Sequence, residues 1–367
     1  MTDLLEKIIN MKKEIFVNAR FLTQPIAGTQ RFAIELSLEL GKYLPSLIYL
    51  APDRILHKDI ADKLNVQITG RSKNGLFWEQ IELPFFLRKN GNPLLINLCN
   101  IAPLFYNNNL VSILDLSFYH HPEWFSRKYA FLYNLIIPRI AANAKRIVTI
   151  SEYSKQDISK TFRISLEKID LVYPNVPNVF LKNYPTVKKN IYGKYILAVS
   201  SLDPRKNFPS LIQAFKEANL VDTKLVIVGV EGKVFANNNL KELIENDDSI
   251  VFTGYISDEE LIGLYKNAKI FVYPSFFEGF GLPPLEAMAC GCPTLVSNTT
   301  SLPEVCGEAS EYVDPYSIRS IREGIEKVLY DESLAQRLRE KGKDRVKYFN
   351  AHKSAQSMAN TINSLNL

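Results

Sequence analysis

Short apolar runs that alternate with longer helical stretches are the feature that most limits how this chain can fold. In the first half, the runs are too uniformly apolar for strands with one wet face, and residues 31–40 and 128–143 between them show helical patterns. This alternation is the βαβ rhythm of a parallel sheet that helices cover on both faces. The strands expected in the first half are residues 15–17, 47–50, 94–98, 111–114 and 147–150.

The same rhythm restarts in the second half of the chain. Its expected strands are 195–200, 224–228, 250–252, 270–273 and 294–296, and its expected helices are 209–218, 258–266 and 283–289. Residues 173–192 contain several Pro, Asn and Lys residues that interrupt both periodicities, as an interdomain linker does. The residues after 334 are helical and polar on one side.

We therefore predict an α/β chain of two Rossmann-like domains, residues 1–185 and 186–345. The remaining residues, 346–367, are expected to form a helix that packs back on the first domain. Ligands are expected at the carboxyl ends of the strands, in a cleft between the two domains.

Composition excludes several classes of protein. The 367 residues are 46% apolar and 23% charged, which fits a folded two-domain chain rather than a disordered one. The 44 Lys and Arg residues exceed the 39 Asp and Glu residues by five, which favours an anionic small molecule or membrane surface over nucleic acid. The four cysteines lack CxxC spacing, so neither a zinc site nor a disulfide framework is predicted.

No apolar run reaches the roughly 18 residues of a membrane-spanning helix. Acidic residues near the amino end also argue against a signal peptide. We expect a cytoplasmic protein, with residues 1–10 as a frayed extension or a short helix that touches a membrane.

The densest functional signal, PSFFEGFGLPPLEAMACG, occupies residues 274–291, directly after an expected strand. Pro283 and Pro284 suit the first turn of a helix and Gly291 suits its exit, so a helix is predicted over 282–290. Glu286 then lies within this helix and Glu278 in the loop before it.

This loop and helix start have the properties of an anion site. Gly279 and Gly281 let backbone N–H groups approach an anion where the helix macrodipole also favours negative charge. A carboxylate beside such an anion needs hydroxyl donors as partners, and a ribose or a hexose supplies them. The pattern indicates a sugar nucleotide, although ordinary helix capping produces the same local pattern.

A second segment, SLDPRKNF at residues 201–208, follows the expected strand 195–200. It places Arg205 and Lys206 at the carboxyl end of the second domain's first strand. Two such cations can neutralise a leaving diphosphate without a metal, whereas the alternative is a solvated turn.

The Glu278-x7-Glu286 stretch, with Gly279-Phe280-Gly281 inside it, resembles the motif of family 4 retaining glycosyltransferases, which have the two-domain GT-B fold. The Pro204-Arg205-Lys206-Asn207 turn matches the same family. Weaker similarity runs along nearly the whole chain, in residues 21–32, 115–117 with 121–125, 151–154 and 172–175.

The resemblance implies transfer of a hexose from a nucleoside-diphosphate sugar to a hydroxyl acceptor, with retention at the anomeric carbon, no enzyme nucleophile, no cofactor and no metal. The resemblance also implies that Glu286 binds ribose hydroxyls and that Glu278 binds the donor sugar. It implies that Arg205 and Lys206 hold the diphosphate. The residues implied on the catalytic and donor side are Glu278, Arg205, Lys206, Asp115, Glu286, Gly279, Phe280, Gly281, Leu282, Gly229, Tyr255 and Ile256. Those implied on the acceptor side are Gly28, Thr29 and Arg31.

One departure from the family pattern concerns the donor sugar. Leu114 stands where many relatives have a histidine before Asp115, and His120 and His121 are candidates to compensate. Leu114 is the one feature that favours an alternative, a GT-B partner subunit that binds a nucleotide sugar without turnover. A nucleotide-sugar epimerase is a further alternative, but it lacks a convincing acid–base pair.

The resemblance to mannosyltransferases of surface-polysaccharide synthesis makes GDP-mannose the first expected donor, before UDP-glucose and dTDP-rhamnose. The acceptor is expected to be a glycan or a lipid-linked saccharide. Peripheral docking on the inner face of the cytoplasmic membrane is expected through exposed aromatic residues, with Phe105, Tyr106, Trp124 and Phe125 as candidates.

Overall fold

The computed structural model describes residues 14–182, 190–201, 203–229 and 247–365. Two compact units divide the chain. The described part of the first unit comprises residues 14–119, 127–175 and 351–365, and the second unit contains residues 120–126 and lies otherwise between 176 and 350. The linker centre predicted near residue 185 falls in 183–189, outside the described residues.

The first unit is built on a parallel sheet. Its strands are β1 (Ile15–Asn18), β2 (Leu47–Ala51), β3 (Gln67–Ile68), β4 (Leu94–Asn97), β5 (Asn109–Ser112), β6 (Arg146–Thr149) and β7 (Ile169–Leu171). Their order is β3-β2-β1-β4-β5-β6-β7, so the chain reverses direction across the sheet between β1 and β4. Its helices are Gly28–Leu40, Lys58–Lys63, Gly75–Phe77, Leu83–Lys89, Arg127–Asn143, Glu152–Phe162 and Ala351–Asn363, with a π-helical turn at Trp78–Glu82. The short helix Ser117–His120 begins in this unit, and its last residue belongs to the second unit.

The second unit repeats this architecture. Its strands are β8 (Lys194–Val199), β9 (Thr223–Val228), β10 (Ile250–Gly254), β11 (Ile270–Tyr273), β12 (Thr294–Ser297) and β13 (Ser310–Val313). They are parallel in the order β10-β9-β8-β11-β12-β13, with the reversal between β8 and β11. Its helices are Asn178–Leu181, Phe208–Ala218, Asp258–Asn267, Leu282–Ala289, Leu302–Cys306, Ile318–Tyr330 and Glu332–Val346.

Burial explains why these apolar runs form parallel sheets. All four residues of β1, β4, β11 and β12 are buried, so each strand needs cover on both faces. In the second unit, Ile196 and Ile227 of the sheet share a core with Leu211 and Phe215 of one helix and Ile325 of another. The predicted α/β class with two Rossmann-like domains is confirmed.

Three strands went unpredicted, and each carries a weak apolar signal. β3 has two exposed residues, β7 is three residues long, and β13 is half-buried with the sequence SEYV. The strand predicted at 111–114 lies two residues too late, because Ile113 and Leu114 are buried in the segment that follows β5.

The predicted helical stretch after residue 334 forms two helices. The first ends at Val346 and the second begins at Ala351. Glu332–Val346 belongs to the second unit, whereas Ala351–Asn363 packs in the first unit against Gly28–Leu40. A hydrogen bond between the Tyr43 hydroxyl and the His352 ring links the residues just after the first-unit helix Gly28–Leu40 to the start of Ala351–Asn363. Within the described part of the chain, no helix is long and apolar enough to cross a membrane.

Candidate functional site

Two loops meet at the carboxyl ends of β8 and β11, where the strand order of the second unit reverses. Asn207, which is 2% exposed and adopts φ +58°, ends the first loop. Its Nδ2 donates to the carbonyl of Pro274 at 3.1 Å and to that of Pro315 at 2.7 Å. The N–H of Phe276 donates to the Arg205 carbonyl at 2.9 Å. These bonds hold the loops together at the position where doubly wound sheets bind ligands.

A buried ion pair lies at the centre of these loops. Lys206 Nζ is 2.6 Å from Glu278 Oε1 and donates a second hydrogen bond of 2.7 Å to the Tyr273 hydroxyl. Each charged side chain of the pair is 8% exposed. Lys206 ends a 3-10 turn, Pro204–Lys206, in which the Asp203 side chain accepts a hydrogen bond from the N–H of Arg205. The ammonium has three donors, so one is left after these two contacts.

The cations set the charge of Glu278. Burial works against its ionisation, but Lys206 and Arg205 outweigh burial and lower the pKa of the Glu278 carboxyl. Burial also lowers the pKa of Lys206, and the Glu278 charge opposes this. Glu278 is therefore a fixed carboxylate that accepts hydrogen bonds, rather than a proton donor.

Two residues after β12 fix the Glu278 loop. The N–H of Glu278 donates to Thr300 Oγ1 at 3.1 Å. Ser301 Oγ is 2.9 Å from both the Glu278 and the Phe280 carbonyl oxygens. Sequence reasoning missed Thr300 and Ser301, and it noted Asn207 in the Pro204-Arg205-Lys206-Asn207 turn without giving it a role. Their position after a strand or a turn at the ligand-binding edge is the signal that identifies them.

Gly281 is the N-cap residue of the helix Leu282–Ala289, and it adopts φ +108°. A Cβ at this position would lie 2.6 Å from Leu302 Cδ2, so only glycine fits. Pro283 and Pro284 have no N–H, which leaves the free donors of the helix start on Gly281 and Leu282. This end of the helix can bind an anion through those two groups.

Glu286 lies on the second turn of the same helix and is buried. Its Oε2 accepts a hydrogen bond of 3.3 Å from the hydroxyl of Tyr265. Burial raises the pKa of Tyr265 well above its ordinary value, so this phenol stays a neutral donor. The predicted placement is observed, with Glu278 in the loop and Glu286 in the helix.

Residues 185–345 match the family model for glycosyl transferases, group 1. O-antigen chain mannosyltransferase B of Escherichia coli is 33% identical over 249 residues, which cover 64% of this chain and 65% of that protein. This part of the chain is therefore similar to the group 1 glycosyl transferases. The serotype-specific mannosyltransferase WbdA of Escherichia coli is 38% identical over 158 residues, 41% of this chain.

The chain covers slightly less than two thirds of the first relative and 19% of WbdA. Among solved structures, HepE of Anabaena, in complex with UDP and glucose, has a TM-score of 0.75 at 16% identity. That match covers 96% of this chain and 100% of HepE, which shows that the two proteins share a fold.

The remaining residues predicted on the donor side lie at the same edge of the second sheet. Gly229 follows β9, and its N–H donates to the carbonyl of Gly254 at the end of β10, at 3.2 Å. Tyr255 is 85% exposed and Ile256 is partly buried. Residues 230–233, the rest of the loop predicted to flank the base, lie outside the described residues.

Four of the predicted site residues belong to the first unit. Gly28, Thr29 and Arg31 form the first turn of the helix Gly28–Leu40, and a Cβ at Gly28 would meet no atom within 4 Å. Asp115 lies just beyond β5, and its Oδ1 accepts hydrogen bonds from the N–H and the hydroxyl of Ser117 at 2.9 and 2.7 Å.

The histidines proposed to compensate for Leu114 belong to the second unit. The rings of His120 and His121 lie 6.2 and 6.1 Å from the ring of Phe277, the residue before Glu278. His121 also stacks on Trp124 with 3.9 Å between ring centroids. The segment 120–124 is therefore a neighbour of the Glu278 loop.

One of the expected membrane contacts is wrong. Tyr106 is 1% exposed, and its hydroxyl donates to the carbonyl of Pro93, so it is a core residue. Phe105 beside it is 73% exposed. Trp124 and Phe125 are partly buried.

Proposed function

We propose that this protein moves a hexose from a nucleoside-diphosphate sugar to a hydroxyl of a glycan or lipid-linked saccharide, with retention and without a metal ion. The observation that carries the proposal is the buried Lys206–Glu278 pair beside the anion-binding start of the helix Leu282–Ala289. Together they supply cations and N–H donors for a diphosphate and a fixed carboxylate for sugar hydroxyls.

The charges suit a departing diphosphate. Arg205 and the third donor of Lys206 are the cationic groups for the phosphate oxygens, and Gly281 and Leu282 add neutral N–H donors. Negative charge grows on the leaving oxygen in the transition state, so preorganised donors there lower the barrier. A metal ion is not needed for this role.

The two carboxylates have separate roles in the proposal. Glu278 accepts hydrogen bonds from the donor sugar's hydroxyls, because Lys206 holds it ionised and in place. Glu286 accepts hydrogen bonds from the ribose, with Tyr265 fixing one of its oxygens. Since Glu278 is tied to Lys206, we propose that the leaving phosphate, and no side chain, takes the proton of the acceptor hydroxyl.

Mannose from GDP-mannose is the first donor to test, because the relatives described above are named as mannosyltransferases. The name of the first relative, which refers to the O-antigen chain, also supports a place in the synthesis of a surface polysaccharide. We propose that the protein acts at the inner face of the cytoplasmic membrane. Exposed Phe105 supports contact with that membrane.

A thermal-shift panel tests donor binding. GDP-mannose, UDP-glucose, UDP-N-acetylglucosamine and dTDP-rhamnose are added with EDTA to the wild type, Glu286→Gln and the control Glu340→Gln, whose carboxylate is on the surface of another helix. We expect one donor to stabilise the wild type and Glu340→Gln. Glu286→Gln should bind that donor roughly tenfold or more weakly, because it loses hydrogen bonds to a charged acceptor. A panel without any shift contradicts the proposed function.

A further inference from the structure

A pocket of about 310 Å³ in the first unit opens where β1 and β2 end. Three cationic side chains line it, from Arg20, Arg54 and Lys73, together with Asp53, Thr23 and Leu76. Lys206, Glu278 and Glu286 belong to the second unit, whereas the residues that line this pocket belong to the first. The carboxyl ends of strands in a doubly wound sheet are its ligand-binding edge.

Arg20 is held in place from behind by a buried polar network. Its Nε lies 3.1 Å from Oε1 of Glu79, which is 1% exposed. The same carboxylate oxygen accepts a hydrogen bond of 2.8 Å from Nδ2 of Asn18. The Asn18 amide also donates a hydrogen bond of 3.0 Å to Asn97 Oδ1. Asn18 and Asn97 end β1 and β4, so the network occupies the strand reversal of the first sheet.

This network uses only one edge of the guanidinium. Within the described residues, the two terminal amino groups of Arg20 form no hydrogen bond with protein, while the side chain is 16% exposed and lines the pocket. A guanidinium fixed through Nε presents its remaining N–H groups in a planar fork, which matches phosphate and carboxylate oxygens.

Arg54 and Lys73 add charge to the pocket. Both are exposed, and in the part of the chain that the structure describes neither forms an ion pair. Arg54 adopts the left-handed φ of +72°, and its N–H donates to Asp53 Oδ1 at 2.8 Å, which fixes the turn. With Asp53 and Glu79 counted, the three cations leave a local charge of 3 − 2 = +1.

We infer that this pocket binds a phosphate or diphosphate group of the acceptor. The identification of the ligand as the acceptor rests on the proposed function. The inference that the ligand is an anion rests on the charges that line the pocket. The pocket lining also holds Asp53 and the Gln24 amide, which suit neutral hydroxyls, but the three cations outnumber them. Arg54 and Lys73, which form no ion pair among the described residues, and the outer edge of Arg20 therefore favour an anion. Leu76 and Phe77, which are 38% and 51% exposed beside Lys73, favour a phosphate that carries a lipid chain over a free sugar phosphate.

Isothermal titration of the full chain, with its donor site saturated with GDP, tests this inference. The probes are inorganic pyrophosphate and farnesyl diphosphate. The test variant is Arg54→Gln/Lys73→Gln, and the control is Lys63→Gln/Lys145→Gln, which removes two exposed cations outside the pocket. All four positions are on the surface, so the variants should fold, and circular dichroism with thermal unfolding verifies this without relying on the donor site.

We expect at least one probe to bind the wild type and the control alike, and the test variant to bind it about tenfold or more weakly. Tighter binding of farnesyl diphosphate than of pyrophosphate identifies a lipid-linked phosphate, and equal binding identifies a soluble one. Absence of binding, or equal binding by the test variant and the control, overturns the inference.

The two proposals fail separately. If no nucleotide sugar binds in the thermal-shift panel while the Arg54 and Lys73 dependence holds, the anion pocket stands and the proposed transfer reaction falls. If a nucleotide sugar binds but the probes do not, the reverse follows.

Discussion

Lys206→Met is expected to lower the free energy of unfolding by about 3–5 kcal/mol, because it leaves the buried Glu278 carboxylate without its counter-ion. The double variant Lys206→Met/Glu278→Leu should recover most of this loss, since it removes both charges together. Urea unfolding of the two single variants and the double variant measures the coupling.

The matched control is the exposed pair of Lys327 and Glu311, with Nζ 2.7 Å from Oε1. Lys327→Met should cost less than about 1 kcal/mol, because water screens an exposed pair. If Lys206→Met lowers the free energy of unfolding by no more than Lys327→Met, Lys206 is not the counter-ion on which the buried Glu278 carboxylate depends.

The loss of unfolding free energy in Lys206→Met should depend on pH. In the wild type, the lowered pKa of Glu278 means that its stabilisation is present at neutral pH and is lost as the pH falls through that pKa. In Lys206→Met, burial still raises the pKa of Glu278 and only Arg205 remains as a neighbouring cation to oppose it, so the pKa is higher than in the wild type and protonation of Glu278 on acidification reduces the destabilisation. The gap between the two proteins should therefore be smaller near pH 4 than at pH 7.

Gly281→Ala should lower the free energy of unfolding by about 1–3 kcal/mol, because its backbone conformation is strained for any residue with a Cβ. The new Cβ also meets Leu302, which is fully buried. Relaxation of this contact displaces the N–H groups of Gly281 and Leu282, so the variant should also bind the preferred nucleotide sugar more weakly.

Gly41→Ala is the control for this substitution. Gly41 has a helical φ of −57°, and a Cβ there meets no atom within 4 Å, so its stability should hardly change. Leu302→Ala in the Gly281→Ala background should relieve the clash but not the backbone strain. Equal unfolding energies for Gly281→Ala and Gly41→Ala would contradict this account of the helix start.

The sequence predicted most of the fold because uniformly apolar strands leave few alternatives. The strand 270–273 matches β11 residue for residue, and the helix predicted over 282–290 differs from the structure by one residue. Edge strands such as β13 were missed because a half-exposed, polar run does not differ from a loop in sequence.

The site was predictable in its parts but not in its contacts. Arg205, Lys206 and the two glutamates follow from their positions after strands, but the hydrogen bond from Lys206 to Glu278 spans 72 residues. No periodicity reports such a contact. The same holds for Arg20 and Glu79, which no local pattern connects, and for Tyr106, whose burial depends on packing between distant elements.

The most direct test of the central claim is the release of nucleoside diphosphate from the preferred sugar nucleotide, followed in EDTA with the wild type, Arg205→Gln and the surface control Arg319→Gln. Slow release by the wild type and Arg319→Gln, with a rate about 10²–10³-fold lower in Arg205→Gln, is the predicted result, because the proposed function assigns Arg205 to the stabilisation of the leaving group. Binding of a sugar nucleotide without any release, even with glycan acceptors present, would instead describe the non-catalytic partner subunit. An unchanged rate in Arg205→Gln would contradict the assignment of these loops to the diphosphate.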